Sequence, residues 1–233
     1  MNKLDISDAL IERPVTFSYK RRRYAIYPLS LGKIQLCSRL VETLGLDKAK
    51  NDLELYGTTL QAVYAHKDCG LRLISYVTLP GNDCLDETKV KARIREFRRI
   101  KPTDLATLLI LFLSLDKTEA VMKEFGIDKE SKRLSDVLKI KSRSKGNGSL
   151  SFGGKSIWGT LIDAACERYG WTYQYTIWGI SFCNLQLLLS DHIKTVFLTE
   201  EERKRAPKFT SDTVISASDP KTLNDFIKSR SWR

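Results

Sequence analysis

The sequence predicts a mainly α protein: a helical body with a small N-terminal β-hairpin. Three observations carry this. Apolar residues recur at spacings of three and four through most of the chain. Strict alternation is confined to one short stretch near the start. Glycines or prolines sit where the periodic stretches stop, at Gly45, Pro102, Gly126 and Gly170. A chain of 233 residues, 42% hydrophobic and 29% charged, is long enough to bury a core without disulfides or metals.

The hairpin is read from residues 14–28. Val15, Phe17 and Tyr19 alternate, and Tyr24 and Ile26 follow a turn made of Lys20, Arg21, Arg22 and Arg23. Ser30 is placed to cap a helix carrying Leu31, Ile34, Leu36, Leu40, Val41 and Leu44, which Gly45 ends. A second helical stretch begins at Asp47 and ends near Asp68. Leu71–Leu79 is apolar and β-branched enough to be strand or helix, and periodicity leaves both open. Pro80-Gly81-Asn82-Asp83 is a turn. A basic helix spans 86–100, with seven cations and one acid, Glu96, between Lys89 and Lys101. Leu105–Leu115 is apolar on nearly every side, so it is expected to be a central core helix. A short helix reaches Phe125, and residues 129–141 are weakly amphipathic.

The C-terminal part divides by composition. Residues 141–155 hold four bases, four glycines and no acid, the composition of a flexible linker. Residues 156–206 then form an aromatic two-helix unit joined at Gly170, and residues 207–233 form a polar tail, with one possible short helix at 220–227. The expected domains are therefore 1–140, the linker 141–155, the unit 156–206 and the tail. In the aromatic unit, Trp158, Leu161, Ile162, Ala165 and Tyr169 make one helical stripe. Trp171, Tyr175, Trp178 and Phe182, at spacings of four, three and four, make a continuous ridge on a second helix. Ridges of this period are most often buried, here against 105–115. Their edge remains a candidate surface for an apolar helix, with Trp158, Trp171, Tyr175, Trp178 and Phe182 as anchors.

Catalytic and cofactor readings fail on spacing. The stretch GNGSLSFGGKS lacks the glycine spacing of a phosphate-binding loop and the buried strand that would present it. His66 and Cys69 offer two metal ligands where zinc needs three or four. His192 lies nine residues from Cys183, about 13 Å along a straight helix. No catalytic residue, metal or cofactor is assigned. The five cysteines are scattered and without a CxxC pair, which points to a reducing compartment. The first residues lack the apolar core of a signal peptide. The longest apolar run, 105–115, is about half a membrane span. A cytosolic protein without a membrane partner is expected.

The net charge of +11 favours anionic partners. Three basic clusters, 20–23, 89–101 and 141–155, could follow a phosphate backbone, with Arg93, Arg95, Arg98 and Arg99 as candidate anion-binding residues. No known nucleic-acid-binding motif accompanies them, so solvated faces are the simpler reading.

Two stretches carry a resemblance. Residues 16–36, TFSYKRRRYAIYPLSLGKIQL, include the opening Tyr27-Pro28-Leu29-Ser30-Leu31-Gly32. Residues 168–193, RYGWTYQYTIWGISFCNLQLLLSDHI, include a tryptophan-containing helix. Together, at about a fifth of the chain, they resemble the tail assembly chaperones of tailed bacteriophages and prophages. The resemblance implies a non-enzymatic protein of the host cytoplasm during phage assembly. It would keep the tape measure protein soluble and assist assembly of the tail tube protein. A basic nucleic-acid-binding or packaging accessory protein is the alternative, and the strong positive charge is what keeps it open.

Overall fold

A computed structural model describes residues 3–46, 52–143, 155–191 and 196–205. Contacts divide them into two units. The larger takes the described residues up to 130 and 155–191, and the smaller takes 131–143 and 196–205. The fold is mainly α with one two-stranded antiparallel hairpin among the described residues.

The hairpin pairs β1 (Val15–Tyr19) with β2 (Arg22–Ile26), so that Val15 faces Ile26, Phe17 faces Tyr24 and Tyr19 faces Arg22. The alternating residues of β1 turn inward, as the period-two pattern requires. Lys20 and Arg21 form the two-residue turn, both left-handed at φ 48° and 63°. That geometry matches the twist of the strands and is usually supplied by Asn-Gly. Holding two side-chain-bearing residues there costs about 1–2 kcal/mol each.

The helices of the larger unit are α1 (Lys3–Leu10), α2 (Leu31–Thr43), α3 (Asp52–Ala65), α4 (Lys67–Thr78), α5 (Glu87–Phe97), α6 (Pro102–Leu113) and α7 (Thr118–Glu124). The ambiguous segment at 71–79 is helix and shares the centre of the core with α6, whose Leu105, Ala106, Leu109 and Phe112 are buried as expected. Every residue from Leu73 to Leu79 is buried, whereas α6 keeps Thr107 exposed and several leucines only half-buried. A continuous apolar run reads as strand or helix because it is buried on all sides. Its two aliphatic hydroxyls bond within the helix, Ser75 to the Leu71 carbonyl at 2.7 Å and Thr78 to that of Ile74 at 2.8 Å. They are thereby buried without orphaned donors.

The carbonyls that end α4 find partners from three distant segments. The Tyr27 N–H donates to Val77 O at 3.1 Å, Arg93 to Thr78 O at 3.0 Å, and Lys33 to Leu79 O at 2.6 Å. Two of the three donors are cationic groups, which suits the negative end of a helix. On α5, the Asp86 carboxylate caps the start by accepting from the Thr88 and Lys89 N–H groups. Its buried Phe97 stacks under the hairpin, with ring centroids 4.8 Å from Tyr24 and 5.7 Å from Tyr19. Pro102 begins α6 at a position where no N–H is needed.

The remaining helices of this unit are α9 (Ile157–Tyr169) and α10 (Phe182–Ser190), with a π-helical turn over Tyr175–Gly179. The sequence groups them with 192–206, but their contacts join them to the N-terminal helices. The reason is specific. Ser30 and Ser181 form an antiparallel bridge, and the Phe182 N–H donates to the Leu29 carbonyl at 2.7 Å. Ser30 therefore sits at the N-cap position of α2, yet its hydroxyl makes no capping bond.

In the smaller unit, α8 (Ile127–Arg143) contributes all but its first turn, together with α11 (Glu200–Arg205). Thr199 and Glu202 cap α11 reciprocally, the Thr199 N–H donating to the Glu202 carboxylate at 2.9 Å. Lys141 donates to the Phe197 carbonyl. Of the expected linker, 141–143 close α8 and 144–154 lie outside the described residues, as do the start expected at Asp47, His192 and the tail 207–233.

Candidate functional site

The expected single aromatic ridge is broken into three places. The second helix does not run through from 171: it stops at Ile180, whose backbone is extended, and Ser181 starts α10 by accepting from the Asn184 N–H. Trp178 turns inward onto α2 and packs against the main core. It lies so close to Gly32 that a β-carbon there would be 2.6 Å from the indole. Trp158 and Phe182 form a second pair, ring centroids 6.3 Å apart, over the small core of Leu31, Ala165, Ile180 and Leu185. The third group is Tyr169, Trp171 and Tyr175. Tyr169 stacks on Trp171 at 4.7 Å, and Tyr175 meets the same indole edge-on at 5.1 Å.

This third group reaches the surface. Tyr175 is 45% exposed and Tyr173, two residues before it, 59%. The Tyr169 hydroxyl donates to the Leu188 carbonyl at 2.7 Å, bringing exposed Leu188 of α10 beside the rings. Arg168 lies over the Tyr169 ring at 5.6 Å. The result is an aromatic face with one cation, fixed by a helix end, a π-helical turn and α10. It can hold apolar side chains by contact, and it contains no nucleophile paired with a base.

Behind this face, α10 is tied to α1 by a residue the sequence did not single out. Glu12 adopts a left-handed backbone, φ 56°, and its carboxylate accepts from the Ser181 N–H at 2.8 Å and the Asn184 side-chain amide at 2.9 Å. The same amide donates to the Leu10 carbonyl. In an ordinary capping box the third residue of a helix reaches back to the N-cap N–H. Here Glu12, distant in sequence, takes that role. A readable signal existed for half of this: Ser181 directly precedes the apolar run of α10, the usual mark of a helix start. Beside this tie, Asp8, Ile26, Leu29, Leu115, Phe182 and Cys183 line part of a pocket of about 220 Å³. Burial pushes the Cys183 thiol up, so it is held protonated there.

Lys33 was also missed. It is 2% exposed, on a helix stripe with Cys37 and Leu44, and its ammonium rests 5.1 Å from the Tyr27 ring. Burial pulls its pKa down, and burial raises that of neighbouring Cys37 to about 12. Neither group is presented to solvent. His66 is exposed at the start of α4, and among the described residues no three His, Cys, Asp or Glu side chains are gathered as metal ligands.

The structure divides the four candidate anion-binding arginines. Arg93 is engaged: it caps α4, pairs with Glu96 at 3.2 Å and covers the Tyr24 ring at 5.2 Å. Arg95, Arg98 and Arg99 are exposed and make no ion pair among the described residues. The basic hairpin, far away in sequence, meets the same helix through the Arg22–Glu96 pair at 3.1 Å. No helix among the described residues is long and apolar enough to cross a membrane.

Comparison with protein-family models, curated proteins and solved structures finds no match to this chain.

Proposed function

We propose that the chain is a non-enzymatic tail assembly chaperone. It works in the host cytoplasm, holds apolar-striped helices of the tape measure protein and assists assembly of the tail tube protein. The reading rests on the resemblance at 27–32 and 169–192 and on one observation of geometry. While Trp178 is turned into the core, Tyr169, Trp171 and Tyr175 remain packed together at the surface, with Leu188 reached by the Tyr169 hydroxyl and exposed Tyr173 two residues before Tyr175. Rings held in place by their neighbours lose little conformational freedom on binding, and such rings are frequent interface anchors. A helix with apolar residues at every third and fourth position is the partner they suit.

The test is co-expression with a tape measure fragment that is insoluble alone. The wild type is expected to bring it into the soluble fraction. Tyr173→Ser with Tyr175→Ser, both exposed positions, should lose that rescue while retaining the helical circular dichroism of the wild type. A wild type that rescues nothing at matched expression overturns the proposal. Full rescue by the double variant refutes the aromatic face as the client surface.

A further inference from the structure

Two basic segments that the sequence keeps about 70 residues apart meet where the hairpin packs on α5, through Arg22 on Glu96 and Tyr19 on Phe97. The hairpin tip supplies Lys20, Arg21, Arg22 and Arg23, and the end of α5 supplies Arg93, Arg95, Arg98 and Arg99. Their junction is explicit. Tyr19 and Arg22, the last pair before the turn, touch Phe97 and Glu96 respectively. Glu96 is the only acid between Lys89 and Lys101, and Arg22 and Arg93 both pair with it. That leaves Lys20, Arg21, Arg23, Arg95, Arg98 and Arg99 without an ion pair among the described residues. Beside the tip, a cleft of about 370 Å³ is lined in part by Arg22, Arg23, Arg93 and Tyr27.

The turn itself is the second observation. Lys20 and Arg21 occupy two left-handed positions where Asn-Gly would sit without strain. The cations do little for the fold at those positions: Lys20 rests 5.2 Å over the Tyr19 ring, a contact worth about 0.5–1 kcal/mol, and Arg21 has no ion pair among the described residues. Strain retained at a tip that does not use it structurally points to a ligand.

We propose that this face binds the phosphate backbone of duplex nucleic acid, with the hairpin tip and the end of α5 contacting neighbouring phosphates. The shape fits, because a two-stranded ribbon is narrow enough for the major groove. An anionic membrane fits less well. Surface-bound segments insert apolar side chains, and none of the exposed large apolar residues lies on the hairpin or on α5. The face involves elements other than the aromatic surface, so it stands or falls independently of the chaperone role.

The deciding variant is Lys20→Asn with Arg21→Gly. It removes two cations while giving the turn its preferred residues, so it should melt higher than the wild type. Binding of the full chain to a 30-base-pair random duplex is measured by fluorescence anisotropy across salt concentrations. Six phosphate contacts predict a slope of log K against log salt near about −5. The variant should be shallower by about 2 and bind roughly 50-fold more weakly at 0.1 M salt. Arg39→Gln with Lys123→Gln, an equal loss of charge on α2 and α7, should leave the slope unchanged. An unchanged slope in the turn variant, or an equal drop in the control, overturns the proposal. So does equal retention on poly-glutamate or on phosphatidylserine vesicles, which carry charge without duplex geometry.

Discussion

Glu12 offers the sharpest test of how the C-terminal helices are held. Its carboxylate accepts from the Ser181 N–H and the Asn184 amide at the positive end of α10. Glu12→Ala leaves the N–H of buried Ser181 without an acceptor, a loss of about 2 kcal/mol. Losing the anion at the helix start adds about 0.5 kcal/mol. The expected destabilisation is therefore about 2.5 kcal/mol. Glu12→Gly loses the same bonds but relieves the left-handed backbone at φ 56°, returning about 1 kcal/mol, so it should cost only about 1.5. Glu12→Gln keeps an acceptor and loses the charge, at about 0.5–1 kcal/mol. Urea unfolding followed by tryptophan fluorescence at pH 7 reads all three. Trp158, Trp171 and Trp178 lie in the segment being tied, so the signal reports on it. The expected order of stability is wild type, Gln, Gly, Ala. Glycine less stable than alanine would refute the backbone argument. Alanine within about 0.5 kcal/mol of wild type would refute the tie itself.

Gly32→Ala should destabilise by about 1–3 kcal/mol despite the better helix residue, because the new β-carbon would meet Trp178 at 2.6 Å and Ile177 at 2.7 Å. Adding Trp178→Phe should recover part of the loss in Tm, and strictly additive losses would show that the two sites do not touch. Lys33 gives a pH dependence. Burial holds its pKa below the ordinary 10.5, so between the folded value and 10.5 the unfolded chain carries the extra proton. Wild-type stability should therefore rise with pH relative to Lys33→Met through that window. Urea midpoints at pH 7, 8, 9 and 10 measure the gap, and parallel curves would contradict a buried lysine of lowered pKa.

Local pattern carried the hairpin, the basic helix and most helix ends into view, because each depends on neighbours in sequence. Gly45, Gly126 and Gly170 all take left-handed backbones where the periodic stretches stop. The errors came where distant partners decide. Residues 71–79 stayed open between strand and helix because a run buried on nearly every side by distant segments has no polar face to set its period. The ridge from Trp171 to Phe182 was legible as aromatic, but not as broken. The break depends on Ser181 pairing with Ser30 and on Glu12, both far along the chain. Arg93 looked like its basic neighbours until the carbonyl of Thr78 accounted for it. The union of the two basic segments was invisible for the same reason: Phe97 and Glu96 touch the hairpin only in three dimensions.

The bridge between Ser30 and Ser181 also sets an order on synthesis. The hairpin and α2–α6 are complete in sequence by 113, but the seat for Phe182 at Leu29 has no occupant until about 50 more residues have been made after 130. At about 5–20 residues per second, that interval lasts roughly 3–10 s. Throughout it, Leu31 and the face around Gly32 are open to whatever apolar segment is nearby, including the same segment of another nascent chain. Slower translation across 130–182 is therefore expected to favour exchange of α10 between neighbouring copies on one message.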